Sequence, residues 1–191
     1  MNPYIEHIRE MRGTGHSEEA VLTAVTKDAE GGNVSAMEVL CDSYYYGNMG
    51  IKDYELALFW GERARQNGSI RAKEILGIMY LYGYAAEADE SKALGLLKEA
   101  VEGGCMKAGR YIGLSCLNHG NSEEAFSWFL KAAERGDVTS QHHLGNCYEN
   151  GVGCEQSMEK ALYWYRLAAR RKDHVGQPAI DALKRLGADI P

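Results

Sequence analysis

One helix pattern, with Trp at the same place, occurs three times along the chain. Residues 161–172 read ALYWYRLAARRK, residues 125–136 read AFSWFLKAAERG and residues 57–68 read ALFWGERARQNG. In each copy a small residue is followed three places later by Trp and four places after that by Ala, so these positions share one helix face. A fourth copy, ALGLLKEAVEGG, begins at Ala93 and carries Leu96 in the Trp place. The copies begin 36, 32 and 36 residues apart, a period typical of stacked helical repeats.

Capping residues stand in the same register as these copies. Four residues before the copies lie Asp53, Asp89, Asn121 and Ser157, and Ser17 lies a further 36 residues upstream of Asp53. Each has a side-chain oxygen that can accept a hydrogen bond from a free backbone N–H at a helix start. Glycine closes most copies, at positions 32, 68, 104 and 136, and only Lys172 departs from this. The pattern predicts five helices, which we call the B helices.

A second helix precedes each B helix in the repeats. It reads AMEVLCDSYYYG from Ala36, AKEILGIMYLYG from Ala72, AGRYIGLSCLNH from Ala108 and SQHHLGNCYENG from Ser140. We call these the A helices and count their places from the small first residue. The sixth place holds Cys41, Gly77, Gly113 and Gly145, and a small residue there predicts a close approach of A and B helices. The third repeat is shorter because its A-to-B loop has four fewer residues.

These motifs resemble the Sel-1-like repeat, a branch of the tetratricopeptide-like α-solenoids. The resemblance rests on LGNCYENGVG at 144–153 and KALYWYRLAA at 160–169, and the same pattern covers nearly the whole chain. It implies an all-α fold, a right-handed superhelical α-solenoid of antiparallel helix pairs with the A helices on the concave side. The chain departs from the pattern at Cys41, at Leu96 and in the short third loop.

The repeat pattern predicts one solenoid domain over residues 1–191. Its parts are a degenerate repeat at 1–35, four repeats at about 36–71, 72–107, 108–139 and 140–175, and a capping helix at 176–191. One helix pair cannot bury its apolar face alone, so the stack supplies the core. In the last helix Ile180 and Leu183 are apolar, whereas Lys184 stands in a Tyr place and suits a solvated end.

Composition and charge narrow the function classes. The chain has 191 residues, 45% of them hydrophobic and 25% charged, with a formal net charge of −6. Residues 160–191 are basic, with seven basic and three acidic side chains, but the acidic chain as a whole predicts no nucleic-acid partner. No apolar run is long enough for a signal peptide or a membrane span, and the five cysteines are an odd number. We expect a cytoplasmic monomer that does not bind membranes.

Candidate chemical sites have packing explanations. Trp60, Trp128 and Trp164 occur once per B helix at a packing place, which favours core over an aromatic binding box. His143 and Cys147 share a helix face, but no Cys-x-x-Cys completes a four-ligand zinc set. No phosphate loop, nucleophile elbow or dinucleotide motif is present. The sequence predicts no catalytic residue, no metal and no cofactor.

The outward face of the A helices is the candidate binding site. Places three, seven, ten and eleven lie opposite the packing places and should be polar unless a partner docks there. The predicted groove comprises Glu38, Asp42, Tyr45, Tyr46, Glu74, Ile78, Leu81, Tyr82, Arg110, Leu114, Leu117, Asn118, His142 and Asn146. Its middle is aliphatic and is flanked by three tyrosines and by charges, a composition typical of a partner site. The alternative is that neighbouring A helices cover these residues.

Members of the resembled family commonly act as protein-binding adaptors in complex assembly and signalling. The resemblance therefore implies a non-enzymatic scaffold or adaptor that holds a partner peptide or helix on its concave face. A second hypothesis is a bacterial effector or toxin-neutralising protein that binds one cognate enzyme.

Overall fold

The chain folds into α-helices, as the repeat pattern predicts. The computed structural model describes residues 4–48 and 50–191, and within these ranges it contains eleven α-helices and no strand. The helices are α1 (Tyr4–Gly13), α2 (Glu18–Glu30), α3 (Val34–Tyr46), α4 (Tyr54–Gln66), α5 (Ile70–Tyr82), α6 (Glu90–Glu102), α7 (Ala108–Asn118), α8 (Ser122–Glu134), α9 (Val138–Asn150), α10 (Met158–Ala169) and α11 (Gln177–Arg185). The A helices are α3, α5, α7 and α9, and α2, α4, α6, α8 and α10 are the B helices.

The described residues form two compact units. The first unit ends at Gly103 and contains α1 to α6, and the second begins at Gly104 and contains α7 to α11. Within each unit, every A helix packs chiefly against the B helix that follows it. The first unit buries a core of small and aliphatic side chains from α1 to α6, and the second buries further clusters around Phe129 and Tyr165.

Helix ends follow the predicted capping residues with one exception. The side chains of Ser17, Asp53, Asp89 and Ser157 each accept a hydrogen bond from the backbone N–H three residues on. Asn121 stands at the start of α8 but its side chain makes no capping bond. Its φ is −83°, whereas φ lies between −135° and −153° at the three caps that end the longer A-to-B loops. The shortened third loop thus brings the backbone into α8 at a different angle.

The deepest contact between A and B helices is made by the residue after the Trp place. Leu97, Phe129 and Tyr165 have no solvent exposure, and each lies against the sixth-place glycine of its A helix. A Cβ added at Gly77, Gly113 or Gly145 would come within 2.7, 2.7 and 2.3 Å of these side chains. Real Cβ atoms do not approach so closely, so glycine is required for this helix crossing.

This arrangement corrects the prediction about the tryptophans. Trp60 is a core residue with 5% exposure, but Trp128 and Trp164 are only half-buried. In α8 and α10 the adjacent Phe129 and Tyr165 take the buried position. Trp and its neighbour lie about 100° apart on the helix, so the Trp place falls at the edge of the interface rather than at its centre.

In the first repeat the small and the large residue of this contact are exchanged between the A and B helices. Here the A helix carries Cys41 where the others carry Gly, and the B helix carries Gly61 where the others carry Leu, Phe or Tyr. A Cβ on Gly61 would lie 3.1 Å from Cys41 Sγ and 3.0 Å from a methyl carbon of Leu76. The departure from the family pattern at Cys41 is therefore compensated across the helix interface.

We expect the substitutions Cys41→Gly and Gly61→Leu to compensate for each other when they are combined. Gly61→Leu alone overpacks the contact and Cys41→Gly alone leaves a void, so each should cost about 1–3 kcal/mol of unfolding free energy. The double substitution recreates the Gly77–Leu97 arrangement, and the helix propensities of the two changes offset each other. A double-mutant cycle from urea denaturation should therefore recover at least half of the summed loss. Simple additivity of the two losses would show that Cys41 and Gly61 are not coupled.

Candidate functional site

An ion-pair network joins the outward faces of two A helices in the first unit. Arg71 is the second residue of α5, and its guanidinium donates to Asp42 on α3 with Nε–Oδ1 and Nη2–Oδ1 distances of 3.0 and 2.9 Å. The same guanidinium donates to Glu74 one turn along α5 and lies 3.4 Å from the Tyr46 hydroxyl. Nearby, the Ser69 hydroxyl donates to Glu38 at 2.6 Å. The predicted acidic groove residues therefore pin α3 to α5.

Burial and ion pairing shift the pKa values of Asp42 and Arg71 in this network. Burial raises the pKa of Asp42 above its ordinary value, and the Arg71 guanidinium offsets only part of this effect. For Arg71, burial lowers the pKa, but the attraction of Asp42 and Glu74 outweighs it and the net shift is upward. The guanidinium thus stays charged, and breaking its contact with Asp42 would leave a partly buried carboxylate without that compensation.

Five tyrosines lie ring to ring beside this network. The Tyr54 and Tyr84 rings stack with centroids 4.6 Å apart and an interplanar angle of 8°. Tyr45 lies 5.9 and 6.3 Å from these two rings, and it contacts Tyr46 edge to face at 4.7 Å. Tyr82 lies 5.9 Å from Tyr84. We call these five residues the tyrosine face.

The tyrosine face has a partly buried layer and an exposed layer. Tyr45, Tyr54 and Tyr84 are partly buried and pack against the core of the first unit. Tyr46 and Tyr82 are 50% and 49% exposed. Two accessible rings therefore stand on a layer of rings that the core holds in place.

Sequence reasoning placed Tyr45, Tyr46 and Tyr82 here but missed Tyr54, Tyr84 and Arg71. Tyr54 is the first residue of α4 and Tyr84 follows the left-handed cap at Gly83, so neither occupies an outward place of an A helix. Arg71 lies one residue before the first place of α5. Its spacing of three residues from Glu74 is a helical ion-pair signal that could have been recognised.

Two predicted groove residues of the first unit are not accessible. Ile78 is 2% exposed and Glu74 is 4% exposed, so the expectation that they face solvent is wrong. Leu81 is half-buried and packs against the core of the first unit. The neighbouring α3 packs against α5. The alternative from the sequence, that groove residues are covered, therefore applies to Ile78 and Glu74.

In the second unit the predicted apolar residues are also partly covered. Leu114 and Leu117 are half-buried and pack against the cluster that contains Phe129 and Leu144. Asn118, the last residue of α7, is exposed. These leucines therefore contribute to the core and retain only part of their surface.

Arg110 is engaged within the second unit. Its guanidinium donates to both carboxylate oxygens of Asp137 at 3.0 and 3.1 Å and to the Tyr111 hydroxyl at 2.9 Å. Asp137 is the N-cap of α9, and its carboxylate accepts from the Ser140 backbone N–H at 3.0 Å. Arg110 of the predicted groove is thus held in a structural ion pair.

A second polar network involves the last predicted groove residues. The Tyr165 hydroxyl lies 2.6 Å from Asn146 Oδ1 and 2.7 Å from Glu149 Oε2. Arg185 of α11 forms a bidentate pair with Glu149 at 2.7 and 2.8 Å. The His142 ring lies 5.7 Å from the Tyr165 ring, and burial lowers the pKa of His142. Asn146 therefore contributes to the α9–α10 contact.

His143 and Cys147 pack as the sequence suggested. The His143 ring stacks on Phe129 with centroids 4.8 Å apart, and Cys147 is 3% exposed. Cys41, Cys147 and Cys154 are free thiols. Residues 4–48 and 50–191 contain no cluster of three or more His, Cys, Asp or Glu side chains suited to holding a metal ion. In the same ranges no helix has both the length and the apolar character needed to cross a bilayer.

The helix pairs and their glycine contacts define a class of repeat protein. The Sel1 repeat family model matches residues 34–69, 71–105, 106–137 and 138–173, well over half of the chain. The chain therefore belongs to the Sel1 repeat family. The matched repeats begin one or two residues before the first places of the A helices.

Solved structures of the same fold cover most of the chain. A Sel1 repeat protein from Oxalobacter formigenes is 28% identical, with a TM-score of 0.68, and the match covers 90% of this chain and 49% of that one. A protective antigen of uropathogenic Escherichia coli strains with an SLR fold is also 28% identical, with a TM-score of 0.71 over 88% of this chain and 37% of that one. Both support the helical-repeat architecture.

Curated relatives match through short stretches. The chitin synthase regulator SKT5 of Saccharomyces cerevisiae is 45% identical over 53 residues, which are 28% of this chain and 8% of the relative. The DAP3-binding cell death enhancer 1 of Rattus norvegicus is 32% identical over 73 residues, 38% of this chain and 14% of that protein. The chain thus matches only a small part of these relatives' length.

Proposed function

We propose that this Sel1-repeat chain is a non-enzymatic binding module that holds a segment of a protein partner against the tyrosine face of its first unit. The carrying observation is the set of five tyrosines in mutual contact, with Tyr46 and Tyr82 half-exposed above three supported rings. The names of the relatives, a regulator of an enzyme and a binding protein, agree with such a role.

Tyrosine suits this role for a physical reason. Its ring offers a large contact area, its hydroxyl can bond to a partner backbone, and few rotatable bonds are frozen on binding. The supporting rings reduce that cost further because they are already ordered by the core.

The rest of the predicted groove contributes support rather than contact. Asp42 and Glu74 hold α3 against α5 through Arg71, and this gives the tyrosine face a rigid base.

The double substitution Tyr46→Ala plus Tyr82→Ala tests the proposal. We expect it to leave the circular dichroism spectrum unchanged and to lower capture of native partners about tenfold or more, since each lost anchor should cost on the order of 1 kcal/mol. Capture is measured by tagged purification from the native cell with quantitative mass spectrometry. The matched control is Phe59→Ala, because Phe59 is an equally exposed aromatic residue (50%) on α4 of the same unit.

The outcome discriminates between the hypotheses. Loss of capture in the tyrosine variant and retention in the Phe59 variant support the proposal. Equal capture by all three proteins would place partner binding elsewhere on the chain. A single captured enzyme would favour the toxin-neutralising hypothesis over an adaptor, which should hold several regulatory partners.

A further inference from the structure

The outer side of α10 in the second unit carries a groove that the proposed function does not use. It has a volume of about 370 Å³ and is lined by Glu159, Tyr163, Arg166, Leu167 and Arg170. These residues follow one another at steps of four, three, one and three, so they lie along one face of the helix. The face is an extended strip about three turns long.

Tyr163 is a largely exposed aromatic residue of this unit. On either side of it, Leu162 and Trp164 pack against the two hydrophobic clusters of the second unit. Tyr163 itself is 60% exposed, and its ring contact is an edge-to-face one with Trp164 at 5.3 Å. A large ring held outward by its neighbour is an anchor available to a partner.

Two arginines, one helical turn apart, follow Tyr163 along the same helix face. Arg166 and Arg170 are both exposed, and neither forms an ion pair within residues 4–48 and 50–191. Arg166 Nε lies 3.5 Å from the backbone carbonyl of Asp189. At the places of Arg166 and Arg170 the other repeats carry Glu62 and Gln66, Lys98 and Glu102, and Leu130 and Glu134. The pair of guanidiniums is therefore a feature of α10 and not of the repeat.

We infer that this face of α10 binds an acidic amphipathic helix of a protein partner. An apolar side chain of that helix would enter the groove between Tyr163 and Leu167, as ridges of one helix fill grooves of another. Two carboxylates one turn apart would meet Arg166 and Arg170, whose planar guanidiniums bind carboxylates bidentately. This inference concerns a different unit from the tyrosine face and does not rest on it.

Charge favours a carboxylate helix over a phosphate surface. The Glu159 carboxylate lines the same groove and would repel a nucleic acid or an anionic membrane laid along α10. Residues 104–191 hold eleven basic and ten acidic side chains, so the unit as a whole carries little net positive charge to attract a polyanion. At the Glu159 end, a basic residue of the partner would fix the direction of the bound helix.

A selection from random helices tests this inference. A displayed library of 16-residue helices with randomised surface positions is panned against the whole chain. Bound helices are then measured against Arg166→Glu plus Arg170→Glu, against Tyr163→Ala, and against Lys131→Glu plus Arg135→Glu. The last pair is the matched control, because Lys131 and Arg135 are also exposed, basic and four residues apart in the same unit.

The expected result is enrichment of helices with Asp or Glu at i and i+4 around an apolar residue. Their affinity should fall at least tenfold for the α10 charge-reversal variant, about three- to tenfold for Tyr163→Ala, and less than twofold for the control. Enriched helices without acidic residues, or with equal affinity for the charge-reversal variant, would overturn the inference. So would binding to phosphatidylserine vesicles that depends on Arg166 and Arg170 while the acidic helices fail to bind.

Discussion

Replacing Phe129 by alanine is expected to lower the free energy of unfolding by about 3–5 kcal/mol, the usual range for emptying a buried aromatic site. Phe129 has no solvent exposure, and its ring lies against Gly113 on one side and stacks on His143. Gly113 has no side chain that could move into the void, and the stacked His143 ring would lose its partner. The loss should therefore fall in the upper part of the range for core truncations.

The adjacent Trp128 is the matched comparison for this prediction. It is larger than Phe129 but only half-buried, and its indole Nε1 lies 3.4 Å from Glu124 on the exposed side of α8. Trp128→Ala should cost about 1–2 kcal/mol, as for partly exposed positions. Urea denaturation followed by circular dichroism measures both variants. A larger loss at Trp128 than at Phe129 would contradict the assignment of Phe129 to the centre of the helix interface.

Acidification should destabilise the second unit through His143. Burial lowers the pKa of His143 to about 4, and the nearby positive charges of His142 and Arg110 act in the same direction, while Asp137 opposes them. In the unfolded chain histidine has its ordinary pKa of about 6.5. Between these values the unfolded state binds the proton and the folded state does not. Stability therefore falls as the pH is lowered from about 6.5 to about 4, by about 3 kcal/mol for this group.

The contribution of His143 can be isolated by substitution. Val39 occupies the same A-helix place in the first repeat, so His143→Val is a substitution that the fold already accepts. We expect the variant to lose about 3 kcal/mol less than the wild type between pH 7 and pH 4, measured by urea denaturation at each pH. His174→Asn, at an exposed histidine, is the control and should keep the wild-type profile. Parallel curves for wild type and His143→Val would refute the prediction.

The repeat and its helix boundaries could be predicted because their causes are local. A cap such as Asp53 or Ser157 bonds to a backbone N–H three residues away, and a glycine such as Gly68 ends a helix through its own positive φ. These capping residues lie within one helical turn of the backbone groups that they bond. Asn121 shows the limit, since the short loop before it changes its backbone angles and leaves its side chain out of the cap.

The candidate site was only partly predictable because it depends on neighbouring helices. The places of Tyr46 and Tyr82 follow from helical periodicity alone, and both are exposed as the pattern requires. Ile78 satisfies the same pattern and is nevertheless buried, because the burial of a helix position depends on tertiary packing that periodicity does not describe. Tyr54 and Tyr84 reach the tyrosine face from a helix start and a loop, and periodicity does not describe such positions.

Three features follow from residue spacing and from the chemistry of single residues: the all-α fold, the alternation of A and B helices, and the need for small residues at their crossings. Two others depend on how the helices pack: Phe129, rather than Trp128, fills the space over Gly113, and Gly61 compensates for Cys41. The angle at which two helices cross selects one of two adjacent side chains for burial, and that angle depends on every contact along both helices.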